Sequence, residues 1–189
     1  MKKLVTAIAA ALALNIAFAA ELEGVKFDDQ VKVGSSDLVI NGTGVRTFLG
    51  KRYVAALYVT AKTADAGSIM NAKGSNRIAL TLLKDSDGKT FGKAFASAID
   101  DNSSDSEFAA IKDRVAALEK NMIAMSDVAK GGVVLIDWIP EKGTHISING
   151  KMVGNVIPGE DFHKAMLKIW LGEKPVQKDL KDSLLGKAS

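Results

Sequence analysis

The chain has 189 residues, of which 47% are hydrophobic, and its 25 basic and 22 acidic side chains give a net charge of +3. This composition is typical of a globular protein, and it lacks the arginine-rich face or lysine cluster with interleaved aromatic residues that nucleic-acid binding requires. The chain has no cysteine, which excludes disulfides and a cysteine nucleophile.

The first residues have the pattern of a secretory signal peptide. Two lysines precede an apolar run over residues 4–18, and Ala17 and Ala19 supply the small residues that a signal peptidase requires. The run is shorter than the roughly 20 residues that a membrane span needs. We predict a bacterial signal peptide at 1–19, cleaved after Ala19, and one periplasmic domain at 20–189 with a charge of +1 and no stable membrane span.

The first half of the mature chain predicts strands separated by turns. Segments rich in valine, leucine and tyrosine lie between clusters of turn-forming residues. Asn41-Gly42 favours a hairpin or a tight bend. The strands are predicted at 23–33, 37–40, 46–49, 52–60 and 76–83, with a short helix at 63–72.

The second half predicts two long helices, three strands and two further helices. Apolar residues recur at helical spacing in the middle of the chain, and Ser104 with Glu107 predicts a capping box. In chain order, the helices are predicted at 89–99 and 105–125, the strands at 133–139, 144–149 and 151–157, and the last helices at 160–171 and 178–185. This order predicts an α+β fold, with helices on one face of a largely antiparallel sheet.

Arg46 is the most informative candidate functional residue. It follows two glycines and precedes a largely apolar strand. An unpaired guanidinium in apolar surroundings costs several kcal/mol, so Arg46 requires an anionic partner. That partner is either a ligand or, as the alternative, a carboxylate of the chain such as Asp137 or Glu160.

Tyr53 and Tyr58 are the only tyrosines, and both lie in the strand after Arg46. Their separation is odd, so in a regular strand they face opposite sides of the sheet. The two phenols therefore cannot both line one cleft unless a bulge intervenes. We select Tyr53 as the companion of Arg46 and assign Tyr58 to ordinary core or surface packing. The alternative for Tyr53 is packing on the strand with its hydroxyl at the surface.

Other chemistries have no support in the sequence. His145 and His163 lack the spacing to carboxylates that metal sites show. The chain has no G-x-S-x-G segment, and Gly42-x-Gly44 lacks the third glycine and the helix of a dinucleotide loop. We predict no metal and no cofactor.

Four passages together resemble the chalcone isomerase-like superfamily, and specifically its bacterial secreted members. They are LVINGTGVR at 38–46, KRYVAALY at 51–58, GTHISING at 143–150, and the segment from Phe162 through IWLG at 169–172 to LLG at 184–186. The resemblance implies an open-faced β-sandwich. In that fold a large curved antiparallel sheet packs with helices, and a ligand cleft lies between them.

The superfamily contains enzymes that close a chalcone into a flavanone and proteins that bind fatty acids. The resemblance implies that Arg46 matches an arginine common to both kinds, and that the strand threonine of the enzymes is Tyr53 here. The helical tyrosine of the enzymes falls within residues 90–95, where no tyrosine exists. Their helical asparagine falls near Ser97, or at Asn102 in a shifted register.

The late threonine and methionine of the enzymes fall at Ile169 and Trp170. Hydrophobic residues therefore replace most of the enzyme's polar set, and a cleft enclosed by Phe91, Phe95, Ile169 and Trp170 suits an acyl chain. We predict no catalytic residue and a non-catalytic protein that binds a small amphipathic acid, such as a fatty acid, through Arg46 and Tyr53. The alternatives are an intramolecular lyase of chalcone-like or enone substrates and a structural envelope protein without a ligand.

Overall fold

A computed structural model describes residues 18–125 and 127–187. Residues 1–17, most of the predicted signal peptide, lie outside this part, so its cleavage stays a prediction. The described residues form nine strands and five helices: β1 (Phe18–Leu22), β2 (Val25–Asp28), β3 (Gln30–Val33), β4 (Ser36–Thr47), β5 (Lys51–Val59), α1 (Ala66–Asn71), β6 (Asn76–Leu82), α2 (Gly88–Asp101), α3 (Asp105–Ile123), β7 (Val133–Ile139), β8 (Gly143–Ile148), β9 (Lys151–Met152), α4 (Glu160–Leu171) and α5 (Lys178–Leu184).

Seven of the strands form one curled antiparallel sheet. Strands β3 to β9 are neighbours in the same order as in the chain, while β1 and β2 form a separate hairpin. Consecutive antiparallel strands need only short connections, and the two long insertions, α1 and the α2–α3 pair, leave the sheet and return to it. The predicted α+β class, a large antiparallel sheet packed with helices, is confirmed.

The two faces of the sheet carry two separate hydrophobic cores. Along β5, Ala55, Leu57 and Val59 join the larger core with helices α2 to α5. The alternate residues Val54, Ala56 and Tyr58 join a smaller core with Phe27 and other residues of β2 to β4. Successive side chains of a strand point to opposite faces, so the continuous apolar run of β5 serves both cores.

The predicted turn at Asn41-Gly42 is wrong. Strand β4 runs through it and contains a bulge between Ile40 and Gly42. The Asn41 amide donates to the carbonyl oxygens of Thr63, at 3.0 Å, and Leu184, at 2.8 Å, and its oxygen accepts from the Thr63 N–H. Long-range hydrogen bonds therefore hold the asparagine that sequence reasoning assigned to a turn.

Two other predicted strands also differ from the structure. The strand at 23–33 is broken at Asp29, and its halves, β2 and β3, belong to different sheets. The strand at 151–157 shortens to the two residues of β9, after which only an isolated bridge joins Ile157 to Thr144. These strands pair with their neighbours in the chain, and local alternation does not reveal where each pairing ends.

The helices follow their predicted local signals. Asp65 caps α1, and Ser104 and Glu107 form the predicted capping box at the start of α3. Helix α5 packs directly on β4, where Gly42 and Gly44 leave room for its backbone. A Cβ atom at Gly42 would lie 2.7 Å from the carbonyl oxygen of Leu184, closer than real Cβ contacts.

Candidate functional site

A cavity of about 330 Å³ lies between the sheet and α2. This volume is at the lower end of the roughly 300–1,000 Å³ that small-molecule sites occupy. Its lining comes from the β4–β5 hairpin, the end of β6, α2, α4 and the segment before α5. The lining residues are Arg46, Phe48, Leu49, Arg52, Tyr53, Leu82, Lys84, Ser86, Thr90, Phe91, Ala94, Phe95, Ile169 and Val176.

Five of the six predicted site residues line this cavity, and the sixth, Trp170, lies behind the lining. Trp170 is 1% exposed, and its ring meets the ring of Phe95 edge to face, with centroids 5.8 Å apart. Phe91 and Phe95 form a second edge-to-face pair at 5.1 Å. Such pairs fix ring orientation, so Trp170 supports the aromatic wall without facing the cavity.

Arg46 and Tyr53 are directly opposite each other in the antiparallel pair of β4 and β5. Cross-strand partners lie on the same face of a sheet, with Cβ atoms roughly 4.5–5.5 Å apart. The register of two regular strands therefore brings the guanidinium and the phenol together. A bulge follows immediately between Arg46 and Thr47, where the hairpin begins to turn.

The hydrogen bonds of Arg46 go to neutral groups. Its Nη1 donates to the carbonyl oxygen of Thr47 at 2.8 Å and to Oε1 of Gln177 at 3.3 Å. Gln177 also accepts from the Thr47 N–H at 2.8 Å and donates to the Val45 carbonyl at 3.2 Å. Within residues 18–125 and 127–187, no carboxylate lies within salt-bridge distance of Arg46.

The carboxylates considered as internal partners of Arg46 are engaged elsewhere. Asp137 accepts two hydrogen bonds from Arg77, at 2.5 and 2.6 Å, across β6 and β7. Glu160 pairs with Lys73 at 3.0 Å and with Lys164 at 3.3 Å. The alternative of an internal salt bridge to either residue is therefore wrong.

Tyr53 presents a neutral hydroxyl beside Arg46. Its oxygen accepts a hydrogen bond from Trp170 Nε1 at 3.1 Å, so the hydroxyl is not a surface group. Burial raises the pKa of Tyr53 to about 12, although the Trp170 hydrogen bond and the charge of Arg46 act in the opposite direction. The phenol thus stays protonated near neutral pH and can donate a hydrogen bond to an anion.

A comparison with protein families matches residues 19–186 to the chalcone isomerase-like family. This chain belongs to the chalcone isomerase-like family. Among solved structures, it is similar to a fatty-acid binding protein of Arabidopsis thaliana, with a TM-score of 0.66 and 14% sequence identity. The likeness covers 86% of this chain and 92% of the plant protein, and it confirms the predicted open-faced fold. A search of curated protein sequences found no significant match.

The cavity of this chalcone isomerase-like chain is basic at its edge. Arg46, Arg52 and Lys84 line it, and no carboxylate does so among the described residues. Sequence reasoning missed Arg52 because regular alternation places it on the face opposite Tyr53. It missed Lys84 because the residue lies just beyond β6, and only the folded sheet brings it to the hairpin.

The described parts of the chain show neither a metal-ligand cluster nor a membrane span. No group of three or more histidine or acidic side chains there has the geometry to hold an ion. No helix of residues 18–125 and 127–187 is long and apolar enough to cross a bilayer.

Proposed function

We propose that this protein is a non-catalytic chalcone isomerase-like protein that binds a small amphipathic acid, such as a fatty acid, in the cavity. The observation that carries the proposal is Arg46, a cation at an apolar cavity with no carboxylate partner in the described residues. Fatty-acid binding, the function of the plant neighbour, is consistent with it. We further propose that the protein reaches the bacterial periplasm after loss of residues 1–19.

The cavity supplies both interactions that such an acid needs. Arg46 and the Tyr53 hydroxyl provide charge-assisted hydrogen bonds for a carboxylate, which are roughly twice as strong as neutral ones. Phe91, Phe95 and Ile169 provide an apolar wall. Each methylene buried against such a wall contributes about 0.8 kcal/mol.

Two hydroxyls in the lining bear on the alternative function, an intramolecular lyase of chalcone-like or enone substrates. Ser86 and Thr90 both face the cavity. The Thr90 hydroxyl, however, donates to Asp87 at 2.7 Å at the start of α2, so its proton is already committed. Tyr53 stays protonated and cannot serve as a base near neutral pH. These contacts favour binding over turnover.

A binding titration with a fluorescent fatty acid tests the proposal. We expect Arg46→Ala to weaken binding by ten- to a hundredfold, since a hydrogen bond to a charged group contributes about 1.5–3 kcal/mol. Ala94→Trp should weaken it as well, because Ala94 lines the cavity and the larger side chain fills it. Lys112→Ala, an exposed charge change on α3, is the matched control and should leave the affinity unchanged.

Native mass spectrometry of protein from the periplasm completes the test. We expect a polypeptide that begins at Ala20 and carries a co-purified acid. A wild-type protein that is unoccupied and binds no acyl probe would overturn the binding proposal and leave the structural envelope role. Turnover of a chalcone that disappears in Arg46→Ala would establish the lyase instead.

A further inference from the structure

The turn between β4 and β5 exposes two large apolar side chains next to each other. Phe48 is 61% exposed and Leu49 is 86% exposed. The other exposed large hydrophobic residues in the described chain, Ile123 and Met152, are 44% and 48% exposed and stand singly on other elements. Single exposed apolar residues are ordinary, whereas an adjacent pair at the tip of a hairpin requires an explanation.

The backbone of this turn has a left-handed leucine. The Phe48 N–H donates to the Gly50 carbonyl at 2.9 Å, and Leu49 has a φ of 51°. A left-handed conformation is unfavourable for leucine and far easier for asparagine or glycine, which are the usual choices in such turns. A leucine here is poorly suited to the turn itself, which points to a role for its side chain.

Three cations lie near the apolar pair. The guanidinium carbon of Arg46 lies 5.6 Å from the Phe48 ring centroid, and Lys84 Nζ donates to the Leu49 carbonyl at 3.4 Å. Arg52 lines the same cavity edge. None of these three cations makes an ion pair within the described ranges. The nearby Lys51, by contrast, is paired with Glu23 at 2.7 Å.

We propose that the β4–β5 turn docks on an anionic lipid bilayer. Phe48 and Leu49 enter the boundary between headgroups and acyl chains, and Arg52 and Lys84 contact the lipid phosphates. An apolar tip ringed by unpaired basic side chains is the chemistry that an interfacial membrane site uses. Phe48 and Leu49 also line the cavity, so its mouth faces the lipid surface in this orientation. Docking does not require an acid in the cavity and goes beyond the proposed function.

Co-sedimentation with vesicles tests the docking. We expect wild-type protein to bind phosphatidylcholine vesicles that contain phosphatidylglycerol, and to bind less as salt is raised. The double variant Phe48→Thr with Leu49→Asn should lower the partition coefficient at least tenfold. Asparagine tolerates positive φ, so this variant preserves the turn. The double variant Ile123→Thr with Met152→Thr removes two exposed apolar side chains elsewhere and should bind as wild type does.

A second variant tests the contribution of the basic side chains to vesicle binding. Arg52→Gln with Lys84→Gln should weaken binding to vesicles that contain phosphatidylglycerol at least threefold and should reduce its salt dependence. Failure of the wild type to bind these vesicles, or an equal loss in the Ile123 and Met152 control, would overturn the proposal. The proposal would also be overturned if the wild type forms dimers and binds no vesicles, and if the Phe48 and Leu49 double variant is monomeric. The turn would then contact a second copy of the chain.

The acid-binding titration in the absence of vesicles reports on the proposed function independently. If the protein binds vesicles but no acid, the docking proposal stands and only the acid-binding proposal is overturned.

Discussion

Tyr53 and Tyr58 illustrate at the residue scale how strand alternation separates two identical side chains. Tyr53 faces the cavity and the larger core, whereas Tyr58 packs in the smaller core and its hydroxyl donates to the Asp28 carbonyl at 3.2 Å. This confirms the prediction that the two phenols lie on opposite faces. Burial raises the pKa of each to about 12, and for Tyr58 the negative charge of Asp28 acts in the same direction.

A spectrophotometric titration should therefore show almost no tyrosinate in the folded protein at pH 10, where free tyrosine is half ionised. Since the folded pKa values are raised, the two protonated phenols contribute fully to the free energy of unfolding below about pH 10. This contribution is lost as pH rises through about 12. The protein unfolded in urea should titrate near pH 10. Tyr58→Phe leaves Tyr53 as the single reporter. A Tyr53 signal near pH 10 in that folded variant would show that the phenol is not buried as described.

The sequence predicts the central pair of the site but not its supports. Arg46 and Tyr53 stand out because an arginine and a phenol are rare in an apolar strand, and because the family resemblance pairs them. Alternation separates Tyr53 from Tyr58, but only the register of β4 and β5 places Arg46 opposite Tyr53. Gln177, which accepts from Arg46, lies 131 positions away in the chain. No local sequence pattern predicts a contact between residues so far apart in the chain. A glutamine just before a helix also does not by itself indicate a contact with an arginine.

At the scale of elements, the contact between β4 and α5 depends on the absence of side chains. Gly42 and Gly44 face the last helix, and a Cβ at Gly44 would lie 2.8 Å from Leu180 and 2.9 Å from Ser183. The β-bulge at Asn41 belongs to the same contact, because the Asn41 amide donates to the Leu184 carbonyl. Sequence reasoning predicted α5 and the two ends of β4, but it interpreted Asn41, Gly42 and Gly44 in the middle of β4 as turn formers.

Gly42→Ala should lower the free energy of unfolding by about 1–3 kcal/mol, the usual cost of overpacking. The new methyl group would meet backbone carbonyls of Ser183 and Leu184, which cannot move as a side chain can. Urea unfolding at pH 7 measures the loss. Gly67→Ala in α1 is the control, because the nearest atom to its Cβ is at 3.5 Å. A loss no greater than that of the control would contradict the close packing of α5.

The whole molecule should respond to acid through a single buried histidine. His163 on α4 is 3% exposed and stacks on Trp138 of β7, with ring centroids 4.7 Å apart. Neither ring nitrogen has a hydrogen-bond partner in the described structure. Desolvation lowers the pKa of His163 to about 3, and the nearby charge of Glu160 offsets only part of this effect.

Because the folded pKa is lowered, a proton favours the unfolded chain, where histidine has a pKa of about 6.5. Stability is thus full above pH 6.5 and falls as pH decreases toward 3. We expect a loss of about 2 kcal/mol between pH 7 and pH 5 in urea unfolding. Glu107 contributes little in this window: hydrogen bonds from Ser104 and Lys168 lower its pKa to about 2, so its contribution is lost mainly below its unfolded pKa of about 4.5.

His163→Phe keeps an aromatic ring on Trp138 and should remove most of this acid dependence. His145→Phe, at the only other histidine of the chain, should retain it. An equal loss of stability between pH 7 and pH 5 in the wild type and in His163→Phe would show that another group controls the acid response.

The hydrogen bonds between Gln177 and the end of β4 have a consequence for biosynthesis. Gln177 holds Val45, Arg46 and Thr47 in place, and it precedes α5 directly. On the ribosome, the hairpin that carries Arg46 emerges long before residue 177 is translated. A chain that ends before residue 177 lacks this clamp on the guanidinium. Acid capture by the finished site is therefore restricted to the nearly complete polypeptide.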